Sequence, residues 1–323
     1  MRAMILAAGL GTRLRPLTLR MPKPMAPVLD RPVMEHIAEL LAGHGFTEVV
    51  SNLSYLPEQI RESFGDGSRL GISLAYSEEP QPLGTAGGVA KAADFLCGTD
   101  SFAIVSGDAV TDIDLAAMRE AHEANVSKGA IATLATKRVA ETSQFGVAIT
   151  DPEGRIQGFQ EKPDPAEALS DLANCGIYMF HREIFDHFPA EGHHSPAGGA
   201  DQPPGFVDWA QDVFPALLEG DVPFYSHEID AYWNDIGTIA EYAQSNFDAL
   251  AGAVQLTAGE GDMREGSVFT GAGADIGAGA ELMGPLVIGR DSRVGAGAQL
   301  RDSVLLPGAA VPEGAMVIGG VLG

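Results

Sequence analysis

From residue 1 to about residue 250, short apolar runs alternate with segments in which apolar residues recur at helical spacing. This alternation is typical of an α/β domain, in which helices cover a mostly parallel sheet. The apolar runs predict strands at residues 3–8, 48–52, 72–76, 102–106, 130–136, 146–150, 177–180 and 224–227. The helical spacing predicts helices at residues 33–42, 56–64, 86–95, 115–125, 208–218 and 238–250.

The pattern changes completely after residue 250. Large aliphatic residues recur there at intervals of six, with Gly and Ala between them: Ile276, Leu282, Ile288, Val294, Leu300 and Leu306, then Val311 and Val317 after a one-residue slip. A six-residue apolar period predicts a left-handed parallel β-helix of hexapeptide repeats, in which each hexad forms one face of a triangular coil. The sequence therefore predicts two domains, residues 1–250 and 251–323.

Composition limits the partners of the chain. Its net charge of −24 argues against a nucleic-acid or membrane partner, because both need a basic surface. Cys97 and Cys175 lie in apolar contexts and are predicted to be buried, reduced thiols. No long apolar run suggests a membrane segment or leader, so we expect a cytoplasmic protein. Residues 190–205 are predicted to be a mobile loop in which His193 and His194 are solvated.

Basic residues are concentrated at the start of this acidic chain, where six of the first 31 residues are Arg or Lys. The segment LAAGLGTRLRPLTLRMPKP, residues 6–24, has no lysine where a Walker A loop needs one. Leu14 replaces the third glycine of a dinucleotide-binding fingerprint, and Pro16 forbids a regular helix. The remaining interpretation is an ordered anion-binding loop, in which Arg13 supplies a donor fork and Lys23 a point charge.

This segment resembles the signature of the sugar-1-phosphate nucleotidyltransferases, a GxGTRLxPLT loop followed by a PKP triplet. The resemblance extends over the whole chain and implies a Rossmann-like mixed, mostly parallel sheet flanked by helices as the catalytic domain. It also implies that the loop binds the nucleotide triphosphate. The nucleotide-binding residues implied in the loop are Ala8, Gly9, Gly11, Thr12, Arg13 and Lys23.

Two aspartates are candidate ligands for Mg²⁺. Asp108 follows an apolar strand, FAIVSGD, at the edge where open α/β sheets bind ligands, although Asp108, Asp112 or Asp114 could each cap the next helix. Asp235 lies in the segment YWNDIGT, where a simple turn is the alternative. The family resemblance implies that Asp108 and Asp235 together bind the ion.

Further motifs match the sugar and base sites of the family. In FQEKP, Glu161 is expected to bind a sugar hydroxyl and Lys162 the sugar phosphate. Gly146 and Asn174 match other sugar-pocket positions. The segment PLGTAGG, which contains Gly84 and Thr85, is expected to read the base, and it looks most like the mannose-1-phosphate guanylyltransferase branch.

The resemblance implies a transfer from GTP to mannose-1-phosphate, with Arg13, Lys23, Asp108, Lys162 and Asp235 as the catalytic set. The alternatives are a uridylyl- or thymidylyltransferase acting on glucose-1-phosphate and a non-catalytic regulatory subunit. An acyltransferase is disfavoured because residues 251–323 contain neither His nor Lys. We expect this C-terminal domain to serve packing or oligomer contacts, most simply in a homodimer.

Overall fold

The computed structural model describes residues 1–190, 192–197, 199, 201–264 and 267–323. Its first thirteen strands are β1 Arg2–Leu6, β2 Pro27–Val28, β3 Arg31–Pro32, β4 Glu48–Leu53, β5 Ser73–Glu78, β6 Ser101–Ser106, β7 Val110–Thr111, β8 Ala132–Arg138, β9 Gly146–Thr150, β10 Ile156–Glu161, β11 Leu172–His181, β12 Phe224–Glu228 and β13 Trp233–Asn234. The helices are α1 Val33–Gly43, α2 Pro57–Phe64, α3 Gly84–Lys91, α4 Ala93–Leu96, α5 Leu115–Val126, α6 Phe214–Glu219 and α7 Ile239–Leu250. No helix in these described ranges is long and apolar enough to cross a bilayer.

The described chain divides into two compact units, and each is assembled from separate segments. Unit 1 contains Met1–Gly9, Ile37–Ala109 and Ile113–Trp233. Unit 2 contains Leu10–His36, Val110–Asp112 and Asn234–Gly323. The predicted anion-binding loop therefore groups with the C-terminal repeats, whereas the strand before it groups with unit 1.

Unit 1 is built on the predicted mixed sheet, which has nine strands in the described structure. Its main path runs β10-β9-β11-β6-β1-β4-β5, and β8 joins β11 to β12. The run β6-β1-β4-β5 is parallel. The central strands β1 and β6 are short apolar runs that are buried in their interiors, whereas the edge strand β5 alternates with exposed residues. Strand β11 is antiparallel to β6, β8 and β9.

The sequence pattern missed β10 and shortened β11. Strand β10 lies at the edge of the sheet and is mostly polar, so the apolar alternation that marks a buried strand is absent. Strand β11 begins at Leu172. The prediction started it at residue 177 because Asn174 and Gly176 interrupt the apolar run. Cys97 was also wrongly predicted to be buried: it follows α4 and is exposed, whereas Cys175 is buried.

The C-terminal strands of unit 2 are β14 Gly261–Arg264, β15 Val268–Gly271, β16 Asp275–Ile276, β17 Glu281–Ile288, β18 Arg293–Val294, β19 Gln299–Leu305, β20 Ala310–Val311 and β21 Met316–Leu322. Parallel pairing of β15-β17-β19-β21 and of β16-β18-β20 stacks successive coils. This is the predicted parallel β-helix, in which one coil is made of three hexads; its handedness stays a prediction. We call the stacked coils from β15 to β21 the solenoid.

The solenoid places the one-residue slip earlier than the sequence suggested. Leu282 pairs with Leu300 and Ile288 with Leu305, so a step of six residues on β17 pairs with a step of five on β19, and the slip lies between Leu300 and Leu305. Leu305 therefore takes the core position expected for Leu306, and it packs in the interior with Val294, Leu300 and Val311. The hexad period itself is confirmed.

Candidate active site

The loop after β1 is ordered by short turns rather than by a helix. Three 3-10 turns follow one another, Thr12–Leu14, Leu17–Leu19 and Lys23–Met25. Leu14 and Leu17 are buried and anchor the loop to its own unit, while Thr12 and Arg13 remain exposed. The loop thus presents the Arg13 guanidinium to solvent, whereas Lys23 in the third turn is buried.

Two loop glycines are needed for different reasons. Gly11 has a φ of 61°, and a β-carbon on it would lie 3.0 Å from both Lys23 Cβ and Thr18 Cγ2. Gly9, in contrast, is exposed and has open space where a β-carbon would stand. Packing within the protein therefore explains Gly11, whereas the space beside Gly9 suits the close approach of a ligand. Ala8 just before it is buried.

Arg13 and Asp235 meet at Gly237 within unit 2. A β-carbon on Gly237 would lie 3.3 Å from Arg13 Nη1, 3.4 Å from Asp235 Oδ1 and 2.9 Å from Glu241 Oε2. A cation from the start of the chain and two carboxylates from residues near Gly237 thus converge on a single glycine. Any residue larger than glycine would push these charged groups apart.

The turn that carries Asp235 is built locally. Asn234 Oδ1 accepts a hydrogen bond from the backbone of Ile236, which has a φ of 35°. Thr238 then caps α7 by accepting from the amide of Glu241. Sequence reasoning missed Glu241, although the Thr-x-x-Glu spacing of a capping box was a usable signal.

Asp108 follows β6 and is half-buried in unit 1. The possibility that it caps the next helix is not supported, because Asp114 is the cap of α5, with Oδ1 2.9 Å from the amides of Ala116 and Ala117. Asp112 instead accepts from the amide of Gln255. Capping of α5 therefore does not account for Asp108.

The carboxylates of Asp108 and Asp235 are hard oxygen donors and half exposed, which suits the chemistry of Mg²⁺. Within the described ranges, no group of three or more His, Cys, Asp or Glu side chains could hold a metal ion. Any Mg²⁺ held by two carboxylates would need the remaining oxygen ligands from substrate phosphates and water, as this ion usually does.

The predicted sugar-phosphate residues gather at one end of strands β9 and β10. Gly146 pairs with Glu161, and a β-carbon on Gly146 would lie 3.1 Å from Glu161 Oε2. Lys162 has a φ of 47° and donates its amide to Phe145 O, which fixes the backbone beyond the strand. Its ammonium lies 3.4 Å from Glu161 Oε1, and both side chains are about half exposed.

Asn174 lies on the neighbouring strand β11, one residue beyond the Ala173–Val147 pair. Its Nδ2 donates to the hydroxyl of Tyr178, while its Oδ1 accepts from the amide of Gly176. Burial raises the pKa of the Tyr178 hydroxyl, so this group stays protonated. The structure therefore brings Gly146, Glu161, Lys162 and Asn174 to adjacent strand ends, with Asn174 held by its own strand.

The predicted base-reading segment is held rigidly by residues that follow the 190–205 loop. Gly84 has a φ of 81°, and a β-carbon there would come within 2.4 Å of Val207 O. The Thr85 hydroxyl donates to Asp208 Oδ2 and accepts from the amide of Trp209. Helix α3 therefore begins at Gly84, two residues earlier than predicted.

The comparisons with known proteins identify the family of the chain. The nucleotidyl transferase family profile matches residues 2–251. The chain belongs to this family. A UTP–glucose-1-phosphate uridylyltransferase from Synechocystis is 38% identical over 338 residues, covering 100% of this chain and 82% of the relative. A mannose-1-phosphate guanylyltransferase from Mycobacterium tuberculosis is 35% identical over 316 residues, covering 98% and 82%.

Among solved structures, HddC from Yersinia pseudotuberculosis aligns with a TM-score of 0.61 at 22% identity, covering 76% of this chain and 97% of that one. This likeness concerns the fold alone. The family profile and the two relatives confirm the predicted family, so the chain is a sugar-1-phosphate nucleotidyltransferase, and the solved structure confirms the predicted fold class. The two relatives are named for different bases and sugars.

Asn52 and Glu79 form a buried polar pair that the sequence did not predict. Asn52 Oδ1 accepts from the amide of Ala7, and its Nδ2 donates to Glu79 Oε1 at 2.8 Å. Glu79 Oε2 accepts from the amide of Leu83, in the predicted base-reading segment. Burial raises the pKa of Glu79. The pair thus joins the end of β1 to the segment that contains Gly84.

The histidines of the 190–205 loop are not merely solvated. His193 Nε2 lies 2.8 Å from Oδ1 of Asp212, a carboxylate whose side chain is only 1% exposed. His194 Nδ1 lies 3.0 Å from Gln202 Nε2. Residues 191, 198 and 200 of this segment lie outside the described residues.

Proposed function

We propose that this nucleotidyltransferase makes GDP-mannose and pyrophosphate from GTP and mannose-1-phosphate. The observation that carries the proposal is the convergence of Arg13 and Asp235 on Gly237. It places the cation of the signature loop beside a carboxylate suited to Mg²⁺, which is the pairing that a metal-bound triphosphate requires.

The reaction joins a phosphate oxygen of the sugar-1-phosphate to the α-phosphorus and breaks the bond to pyrophosphate. Because the nucleophile is ionised at neutral pH, no general base is needed, and the protein acts by positioning and by neutralising charge. We assign Arg13 and Lys23 to the charge of the leaving pyrophosphate. We assign Lys162 to the attacking phosphate and Glu161 to a sugar hydroxyl.

We propose Asp108 and Asp235 as the ligands of one Mg²⁺. When bound, the ion neutralises phosphate charge and aligns the two reacting phosphates. The residues proposed to contact the nucleotide besides Arg13 and Lys23 are Ala8, Gly9, Gly11, Thr12, Gly84 and Thr85. The Thr85 hydroxyl is hydrogen-bonded to Asp208 and Trp209. We therefore propose that Thr85 contacts the base through its backbone.

The choice of GTP and mannose-1-phosphate is supported by the LGTAG segment and by the relative named mannose-1-phosphate guanylyltransferase, which aligns with 98% of the chain. A second pair, UTP and glucose-1-phosphate, is favoured by the 38% identity to the uridylyltransferase. The two pairs differ in base and in sugar, so they can be separated experimentally.

The test is a matrix of five NTPs against mannose-, glucose- and heptose-1-phosphates, read by pyrophosphate release with Mg²⁺ present. We expect the highest kcat/KM for GTP with mannose-1-phosphate. A maximum for UTP with glucose-1-phosphate would replace the first pair by the second. If no pair releases pyrophosphate, the chain is a non-catalytic member of its family and the proposed function is wrong.

The assembly proposed with this function is a homodimer, as expected for a chain that ends in a solenoid. Light scattering of the purified protein measures its mass directly, and a monomeric mass would overturn the proposal.

A further inference from the structure

Asp30 is a buried carboxylate at an unusual turn in unit 2. The side chain is 2% exposed and lies in the two-residue turn that joins β2 to β3. Both turn residues have positive φ, 47° for Leu29 and 65° for Asp30. Such hairpin turns usually carry Asn or Gly, because other side chains adopt this conformation unfavourably. Contacts from elsewhere must therefore hold the turn.

The solenoid supplies these contacts through a single residue, Arg290. Its backbone amide donates to Asp30 Oδ1 at 3.1 Å, and its Nε donates to Oδ2 at 3.0 Å. Its Nη2 donates to the carbonyl oxygen of Asp30. Arg290 thus satisfies both carboxylate oxygens and the backbone of the turn, a geometry that lysine could not reproduce.

Arg290 itself is fixed between coils. A β-carbon on Gly271, in the preceding coil, would come within 2.5 Å of Arg290 N, so the two backbones are in close contact. In the next coil, the amide of Gly308 donates to Arg290 O. The guanidinium is therefore presented from a rigid part of the solenoid.

Further contacts hold the same hairpin from the C-terminal side. The hydroxyl of Tyr242 donates to Pro27 O, and Asn246 Oδ1 accepts from the amide of Leu29. The amide of Gly259 donates to Leu29 O. Helix α7, which carries Tyr242 and Asn246, also packs against β17, β19 and β21.

This hairpin begins where the signature loop ends. Lys23 O accepts from the amide of Ala26, and Ala26 O accepts from the amide of Val33, so the turn containing Lys23 is joined to the hairpin by backbone hydrogen bonds. We propose that Arg290 is a positioning residue for Lys23, so that the solenoid is part of the framework that binds the NTP. The inference rests on the proposed function of Lys23.

The test compares Arg290→Met with Arg301→Met. Arg301 is an exposed solenoid arginine that pairs with Asp302 and has no contact with the hairpin in the described structure, so it is a matched control. We expect Arg290→Met to raise the KM for NTP by up to about tenfold, because the loss of a hydrogen bond to a charged group sets the upper limit of the effect on Lys23. The KM for sugar-1-phosphate should be little changed, and Arg301→Met should resemble the wild type in both.

A wild-type KM for NTP in Arg290→Met, or an equal rise in both KM values, would overturn the inference. Because removal of Arg290 leaves a buried carboxylate unpaired and could prevent folding, Asp30→Asn is the second variant. It keeps an acceptor for Arg290 and loses only the charge. We expect its effect to be smaller but again confined to NTP, and an effect on sugar-1-phosphate alone would contradict the inference.

Hydrogen exchange provides a readout that does not depend on activity. The amides of Ala26, Leu29 and Val33 should exchange faster in Arg290→Met than in Arg301→Met. If the wild type releases pyrophosphate and these amides are unaffected, the positioning role is wrong and the proposed function stands. If no substrate pair reacts but these amides exchange faster in Arg290→Met, the solenoid stabilises the hairpin and the proposed function is wrong.

Discussion

Among single residues, Asp108 gives the most direct test of the proposed chemistry. Asp112 and Asp114 lie within six positions of it, but one accepts from Gln255 and the other caps α5. We expect Asp108→Asn to lower kcat by more than about a hundredfold, since even outer-shell partners of a bound metal contribute roughly 10- to 100-fold. Pyrophosphate release measures this loss, and Mn²⁺ binding followed by electron paramagnetic resonance should weaken in parallel.

The matched control for Asp108 is Asp112→Asn, which keeps an oxygen acceptor for the Gln255 amide. It should retain wild-type turnover and Mn²⁺ binding. Near-normal turnover in Asp108→Asn, with an unchanged thermal midpoint, would remove Asp108 from the proposed metal site.

Lys162 is expected to act on the other substrate. Its backbone is fixed by the bond to Phe145 O while its side chain is half exposed, so Lys162→Ala should leave the fold intact. Loss of a charge-assisted bond to phosphate should raise the KM for sugar-1-phosphate about tenfold or more, with less effect on the KM for NTP. Steady-state kinetics with each substrate varied in turn measures the split.

The control for Lys162 is Lys128→Ala, because Lys128 lies over the ring of Tyr225, 5.7 Å from its centroid, and is assigned no role in binding. If Lys162→Ala instead raised only the KM for NTP, Lys162 and Lys23 would have to exchange their proposed roles.

The site residues predicted from sequence and the contacts seen only in the structure differ in one physical respect. Arg13, Asp235 and Lys162 stand in short motifs whose chemistry can be read locally. The Asn52–Glu79 pair and the Arg290–Asp30 contact join residues 27 and 260 positions apart, and neither partner has a distinctive neighbourhood in the chain. A hydrogen bond between distant polar residues leaves no periodic signal, so only the fold reveals it.

At the scale of elements, apolar periodicity was a good guide where packing demands it. The buried strands of the parallel run and the hexads of the solenoid were predicted because each must place an aliphatic residue in a core. The edge strand β10 was not predicted, because it is mostly polar and has no such run of core residues. The slip between Leu300 and Leu305 was placed too late, because Leu306 continues the preceding hexads as well as Leu305 begins the following ones.

Helix α5 carries a prediction about pH. His122 is fully buried, with Nδ1 3.1 Å from Thr133 Oγ1 and Nε2 3.2 Å from Ser101 Oγ. Burial lowers the pKa of His122 from 6.5 to about 4. The unfolded chain therefore takes up a proton below about pH 6.5 that the folded chain resists until about pH 4, so stability falls as pH falls through this window.

Because one pKa unit corresponds to about 1.4 kcal/mol, this loss is on the order of 3 kcal/mol. His122→Gln cannot titrate, so its free energy of unfolding in urea should fall less than that of the wild type between pH 7 and pH 4. His194→Gln removes an exposed histidine and serves as the control. Equal losses in all three proteins would show that His122 does not set the acid sensitivity.

At the scale of the whole molecule, the compact units do not follow the order of the chain. Residues 10–36 belong to unit 2 together with α7 and the solenoid, although they lie within the first predicted domain. Local patterns could identify the α/β elements and the repeats, but they carry no information about which segments share a core. That residues 1–250 and 251–323 fold independently stays a prediction.

This grouping predicts that nucleotide stabilises the solenoid. A ligand that binds only the folded state stabilises it by about 2.7 kcal/mol at a hundred times its Kd, which slows exchange through unfolding about a hundredfold. If unit 2 unfolds cooperatively, GTP bound by the signature loop should slow hydrogen exchange of β17 and β19 amides by up to this factor. Arg290→Met should reduce the protection of these strands at equal saturation, because it removes the bonds to Asp30. Protection confined to the loop in the wild type would show that the loop and the solenoid open independently. Arg290 would then stabilise a local hairpin and would not link nucleotide binding to the stability of the coils.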